Sequence, residues 1–212
     1  MFTGIVQARI AISEVVKKPE LITFTLTLPE SLRDGLKKGA SIAVDGVCLT
    51  TVDFNDAGQV SFDAMTETLQ RTTLGNIAPG TVVNVERSFK MGDEVGGHIV
   101  SGHVHGMAQI IEVDKSVPNN CAITFKVPQE LMKYIFSKGY AALDGVSLTI
   151  VDVDKNLATF SVYFIPETLA RTTFGIKGNG DFINLEIDTQ TQTIVDTVER
   201  VLAEKGFLNV GT

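Results

Sequence analysis

The sequence predicts a mainly β protein: two tandem, homologous antiparallel β-barrels with short helices, followed by one C-terminal α-helix. Three observations lead there. Glu67-Thr68-Leu69-Gln70-Arg71-Thr72-Thr73-Leu74-Gly75 recurs 100 residues later as Glu167-Thr168-Leu169-Ala170-Arg171-Thr172-Thr173-Phe174-Gly175, identical at seven of nine positions. Asp45-Gly46-Val47-Cys48-Leu49-Thr50 recurs as Asp144-Gly145-Val146-Ser147-Leu148-Thr149, and Val83-Asn84-Val85-Glu86 as Ile183-Asn184-Leu185-Glu186. A period this long belongs to a domain, not to a solenoid unit. Each copy holds short β-rich runs punctuated by Gly, Asp, Asn and Pro, and the tail shows helical spacing.

In the first copy strands are expected over 21–28, 41–44, 48–54, 59–65 and 81–86. The second copy repeats them over 122–127, 141–143, 147–153, 158–164 and 181–187. So many short strands close most simply into a barrel, which leaves no exposed edge. Helices are expected after Pro29 (30–37) and Pro128 (129–137), stopped at Gly39 and Gly139. A shorter pair lies over 67–71 and 166–171, where Thr66 and Thr168 suit a cap or turn and the arginine can pair with a nearby acid. The copies meet near 96–101, which divides the chain into 1–97, 98–188 and a tail, 189–212. From 191 to 205, Ile194, Val195, Val198, Val201 and Leu202 fall on one stripe before a stop at Gly206. Such a stripe needs a partner surface, either its own barrel or other copies around a symmetry axis.

Composition narrows the function. With 44% hydrophobic and 20% charged residues the chain is globular. A net charge of −7 without a Lys/Arg run argues against nucleic acid or an anionic membrane as partner. The opening residues lack a basic, then apolar, secretory pattern, and no stretch is long and apolar enough to span a bilayer, so a cytoplasmic protein is expected. Cys48 and Cys121 form neither a CxxC pair nor a disulfide framework and are expected as thiols.

All three histidines, His98, His103 and His105, lie where the copies join. His103 and His105 would share one face of a strand, but no HExxH, CxxC or third ligand completes a metal site, so no metal is expected. They are either polar surface at a crossover or the source of one acid–base group. Cys48 alone reads as a buried, inert cysteine. Its exchange for Ser147 within an otherwise repeated motif points instead to two equivalent pockets with different duties. Phosphate-cradling loops and hydrolase elbows are missing. The pattern therefore stops at two matching pockets for one small polar ligand.

Together, Met1-Phe2-Thr3-Gly4-Ile5-Val6, the duplicated DGVxLT and ETLxRTT motifs, Gly96-Gly97-His98 with Ser101-Gly102-His103, and Asp188 with the following Thr191-Gln192 to Arg200 resemble riboflavin synthase of the α-subunit type. The resemblance covers the whole chain. It implies Greek-key barrels, a homotrimer joined by the C-terminal helix, and a cofactor-free dismutation. One 6,7-dimethyl-8-ribityllumazine gives a four-carbon unit to another, yielding riboflavin and 5-amino-6-ribitylamino-2,4-pyrimidinedione. Carried onto this sequence, the resemblance lines a first pocket with Gly4, Ile5, Val6, Val47, Cys48, Leu49, Asp63, Ala64, Met65, Thr66, Glu67 and Thr68, with Ser41 and Thr50 nearby. A second takes Gly102, His103, Val104, Lys138, Val146, Ser147, Leu148, Tyr163, Phe164, Ile165, Pro166, Glu167 and Thr168. His103 is the first candidate for proton transfer. Cys48, Ser147 and Thr149 are candidates for relaying a proton or positioning a nucleophile, and Asp188 for orienting ribityl hydroxyls or a catalytic group. His105 receives no role, and association with a lumazine synthase is left open. The alternative is a non-catalytic lumazine- or flavin-binding antenna protein of the same ancestry.

Overall fold

A computed structural model describes residues 1–207, so the end of the expected tail, 208–212, lies outside the described residues. In the first half β1 (Ala8–Lys18), β2 (Leu21–Thr27), β3 (Ser41–Val44), β4 (Val47–Phe54), β5 (Gln59–Met65) and β6 (Val82–Arg87) close into a barrel in the order β1-β2-β5-β4-β3-β6. The second half comprises β7 (Gly106–Asp114), β8 (Cys121–Lys126), β9 (Tyr140–Leu143), β10 (Val146–Thr149), β11 (Val153–Asp154), β12 (Thr159–Phe164) and β13 (Phe182–Ile187). Its order, β10-β9-β13-β7-β8-β12-β11, is the same circuit with the counterpart of β4 broken in two. The expected strand over 147–153 is thus β10 and β11, separated at Ile150–Asp152. Each half fills its own core, one around Phe24 and Phe62, the other around Phe125, Phe160 and Phe174.

The strands read from the sequence are all present, within a residue or two at most ends. β1 and β7, which open the two copies, were not among them. Both are bulged, β1 between Ile12 and Glu14 and β7 between Ile110 and Glu112, and an extra residue breaks the alternation that marks a half-buried strand. The helices expected over 30–37 and 129–137 reduce to 3-10 turns, Glu30–Leu32 and Gln129–Tyr134. Their apolar residues, Leu32 and Leu36 in one and Met132, Tyr134 and Ile135 in the other, are buried in the barrel cores, and the chain turns at each apolar plug rather than running along a helical face. The shorter pair forms as α1 (Thr66–Arg71) and α2 (Pro166–Arg171).

The repeated motifs lie where the two barrels touch. Asp45-Gly46 and Asp144-Gly145 occupy left-handed backbone at φ 43° and 77°, and 45° and 78°, as a two-residue hairpin of the I′ type requires. The hairpins meet back to back, and a Cβ on Gly46 would fall 2.6 Å from the Gly145 nitrogen. Around them Asn84 Nδ2 donates to the Asp144 carbonyl and to Thr173 Oγ1, each at 3.0 Å, and its Oδ1 accepts the Thr173 N–H at 2.8 Å. Asn184 answers with the Asp45 carbonyl and the Thr73 N–H, both at 2.8 Å. Phe2 and Val100 form a reciprocal bridge and pack with Ala43 and Ala142 into a small third core.

The tail is α3 (Thr189–Glu204), capped by Asp188, whose Oδ2 accepts the Thr191 N–H and hydroxyl at 2.9 and 2.7 Å. Val195 packs against the second core, whereas Ile194, Val198 and Val201 stay exposed. Among the described residues no helix is long and apolar enough to cross a membrane.

Candidate functional site

Both barrels open at the same place. The β4–β5 ladder ends at the Thr51–Phe62 pair, so Val47–Thr50 and Asp63–Met65 diverge. In the other barrel Val151 and Asp152 meet Ser161, but β10 forms no ladder with β12. Each slot therefore presents strand backbone that can pair with an amide-like heterocycle edge. The pleat sorts the candidate residues. Val47, Leu49, Ala64, Val146, Leu148 and Phe164 turn into the cores, while Cys48, Thr50, Met65, Ser147, Thr149, Tyr163 and Ile165 face outward. Ser41 pairs with Thr50, and Asp63 accepts the Thr23 hydroxyl at 2.6 Å.

The structure divides the remaining candidates differently from the order of the chain. Gly102, His103 and Val104 lie with Val47, Cys48, Glu67 and Thr68 around a hollow of about 210 Å³. Gly4, Ile5 and Val6 lie with Val146, Ser147, Leu148, Glu167 and Thr168 around one of about 150 Å³. The leading segment of each copy thus crosses to the other barrel. The Gly102 carbonyl accepts the Cys48 N–H at 2.9 Å and the Gly4 carbonyl accepts the Ser147 N–H at 2.8 Å. Glycine is required at both crossings: φ is 85° at Gly102 and 74° at Gly4, and an added Cβ would meet the Cys48 or Ser147 Cβ at 2.4 or 2.5 Å.

Neither His103 nor His105 lies in a strand. His103 is exposed, and the His105 ring is tied to Gln192 Oε1 at 3.0 Å and accepts the Ile187 N–H at 3.2 Å, bracing α3 against β13. Among the described residues no three His, Cys, Asp or Glu side chains gather as for a metal. The helices α1 and α2 are preceded by Met65 and Ile165, with no side-chain cap. Thr66 donates instead to the Glu20 carbonyl at 3.1 Å, and the Thr168 carbonyl accepts the Thr172 hydroxyl at 2.7 Å, because the chain enters both helices straight from a strand. The arginines do pair with acids, Arg71 with Glu67 and Arg171 with Glu167. Lys138 is exposed in left-handed backbone at φ 69° beside β9.

The sequence named His98 only among three clustered histidines and gave it no pocket. Its Nδ1 lies 2.6 Å from Ser147 Oγ and its ring stacks on Tyr140, with centroids 5.2 Å apart. His98, Tyr140 and Asp188 border a cavity of about 370 Å³. Burial lowers the His98 pKa, opposed by the Asp188 charge, so the ring is neutral at pH 7 and its Nδ1 can accept the Ser147 hydroxyl proton. Burial also works against the Asp188 carboxylate, but the hydrogen bonds from Thr191 and the Gln190 N–H, with His98 nearby, together outweigh it and hold that carboxyl below its usual range.

A model of the lumazine binding domain matches residues 3–88 and again 101–188. The riboflavin synthase of Escherichia coli (strain K12) is 48% identical over 206 residues, 97% of this chain and 95% of that protein. The chain belongs to the riboflavin synthase family. The synthase of Buchnera aphidicola subsp. Schizaphis graminum (strain Sg) is 45% identical over 95% of this chain and 96% of its own length. Among solved structures, LumP complexed with riboflavin superposes with a TM-score of 0.81 at 24% identity, covering 89% of this chain and all of that one. LumP complexed with 6,7-dimethyl-8-(1'-D-ribityl) lumazine gives 0.78 at 23% identity, over 88% and 98% of the two chains. At that identity the likeness is one of fold.

Proposed function

We propose that the protein is a riboflavin synthase, a transferase that dismutates two molecules of 6,7-dimethyl-8-ribityllumazine into riboflavin and 5-amino-6-ribitylamino-2,4-pyrimidinedione. The observation that carries the reading is the pair of crossed slots, alike in backbone and unlike in their reactive groups, on a chain with near full-length relatives of that name. One substrate acts as donor and one as acceptor, so duplicated recognition with divergent side chains is what the reaction needs. In the slot of the first barrel His103 takes the proton from the acidic lumazine 7-methyl group, and Cys48 lines the same hollow, with Thr50 two residues along the same side of β4. In the other slot Ser147, hydrogen-bonded to neutral His98, positions a nucleophile at ring carbon 7, with Thr149 beside it. Asp188 orients ribityl hydroxyls. The carbanion is delocalised by the substrate ring itself, so oriented binding and mild bases suffice and no cofactor is invoked.

The reading includes a homotrimer and a cytoplasmic location. The exposed stripe of Ile194, Val198 and Val201 on α3 supports the first, and two unpaired thiols fit a reducing compartment. Val198→Glu is expected to shift the sedimentation coefficient to that of a monomer, and an unshifted value would remove the helix from the contact. For the activity itself, the purified protein is incubated with the lumazine alone and followed by absorbance. Conversion at two lumazines per riboflavin is expected. Tight binding without conversion would make the protein a flavin- or lumazine-binding antenna.

A further inference from the structure

Two buried carboxylates outside the slots stand where the barrels exchange segments. Glu86 on β6 accepts the Thr3 N–H at 2.6 Å and hydroxyl at 2.8 Å on one oxygen, and the Gly4 N–H at 3.1 Å on the other. Glu186 on β13 does the same for Ser101 N–H at 2.7 Å, Ser101 hydroxyl at 2.8 Å and Gly102 N–H at 2.9 Å. They are 4% and 3% exposed. A carboxylate so far from water is tolerated only when its lone pairs are filled. Three donors from two consecutive residues fix both the position and the rotation of the segment. From there the contacts lead across the barrel boundary, through the Gly102 carbonyl to Cys48 and through the Gly4 carbonyl to Ser147. His103 follows Gly102 directly, and its N–H donates to Ser101 Oγ at 3.1 Å.

We propose that Glu186 and Glu86 are positioning residues that act across the barrels. Glu186, in the second barrel, sets the Cys48–His103 geometry of the first slot, and Glu86, in the first barrel, sets the surroundings of Ser147 in the second. The catalytic consequence rests on the synthase reading; the geometric one does not. In Glu186→Gln an amide NH₂ faces one of the donors that the carboxylate now accepts, and the 101–104 segment loosens. A displacement of about 1 Å costs on the order of a hundred-fold in turnover, so kcat falls by about that factor while KM changes little.

The test reads position without activity, as the rate of iodoacetamide alkylation at Cys48, with buried Cys121 as internal reference. Glu186→Gln is expected to speed Cys48 alkylation about ten-fold, the factor corresponding to one lost charge-assisted hydrogen bond of roughly 1.4 kcal/mol. Glu86→Gln, whose held segment leads to Ser147, accelerates it clearly less although it disturbs the same number of bonds. Ser101→Ala removes one donor to Glu186 together with the acceptor of the His103 N–H, gives an acceleration in the same direction, and serves if Glu186→Gln does not fold. Equal acceleration by Glu86→Gln, or none in folded Glu186→Gln and Ser101→Ala, overturns the proposal. Failure of the unaltered protein to convert lumazine overturns the synthase reading instead, and the labelling pattern still decides the positioning role.

Discussion

Around Cys48 the wall of the slot carries His103, while in the other slot Ile5 stands at that place and an imidazole reaches Ser147 from His98 instead. Lys38, at the rim of the first barrel, is held by Asp53 at 2.8 Å; its counterpart Lys138 makes no ion pair among the described residues, and Asp152 is occupied by Ser161. The backbone turns, crossing glycines and carboxylate anchors are shared. Duplication thus preserved how a ligand is cradled, and a few outward positions on one pleat divided the chemistry. For a reaction between two identical molecules, symmetry in recognition and asymmetry in proton handling are complementary requirements.

The largest effects should come from removing that asymmetry. His103→Gln and His98→Gln are each expected to lower kcat by about 10²–10⁴-fold, the range for one general acid–base group. Lumazine affinity by fluorescence titration should change far less. Cys48→Ser makes the two motifs identical and is expected to impair turnover more than binding. Unchanged turnover in all three would mean that the differences between slots are incidental.

A second asymmetry sits between the barrels, where Asp45 and Asp144 are both buried and Lys177 pairs with Asp144; among the described residues no cation pairs with Asp45, and the counterpart of Lys177 is buried Ile77. Lys177→Met leaves buried Asp144 without its ion-pair partner, and removing one partner of a buried pair costs about 3–5 kcal/mol, measurable by urea unfolding. Burial and the nearby Asp144 push the Asp45 carboxyl up to about 8, against Lys177 and the Asn84 N–H. Unfolded, it ionises near 3.8. Its folded pKa is the raised one, so its contribution is full below about pH 4 and is lost as pH climbs through about 8. Asp45→Asn keeps the acceptor for Asn84 and removes the titration. Thermal midpoints should rise relative to the parent from pH 4 to 8, and a constant difference would show that Asp45 is ionised in the fold throughout.

That interface explains how much was legible beforehand. The 100-residue repeat revealed two like barrels, and hairpin and strand signals revealed most of their elements. Yet Asp45-Gly46, Asn84 and Thr73, with their counterparts, spend their side chains and backbone on holding the barrels together. Part of what looked like a ligand motif is interface. The grouping of pocket residues was not legible, because sequence order places Gly4–Val6 with the first barrel and nothing local records that the segment crosses. His98 was visible only as one of three clustered histidines; its role depends on Ser147, 49 positions away. Bulges hid β1 and β7 for the opposite reason, a local irregularity masking a plain strand.

The smallest expected effect sharpens the comparison most finely. Glu67 and Glu167 stand in the two hollows, each in an exposed i,i+4 pair with an arginine, and such pairs are worth about 0.3–0.5 kcal/mol. Glu67→Gln and Glu167→Gln should therefore leave unfolding free energy unchanged within about 0.5 kcal/mol. Against that quiet background any larger loss of lumazine affinity reports contact with the ligand rather than damage to the fold. Equal, modest weakening in both variants is expected if the slots share one mode of recognition, with the division of labour confined to Cys48 with His103 and Ser147 with His98. Weakening in only one would carry the asymmetry into recognition itself, and the repeat would then mark shared ancestry of the slots without a shared way of binding.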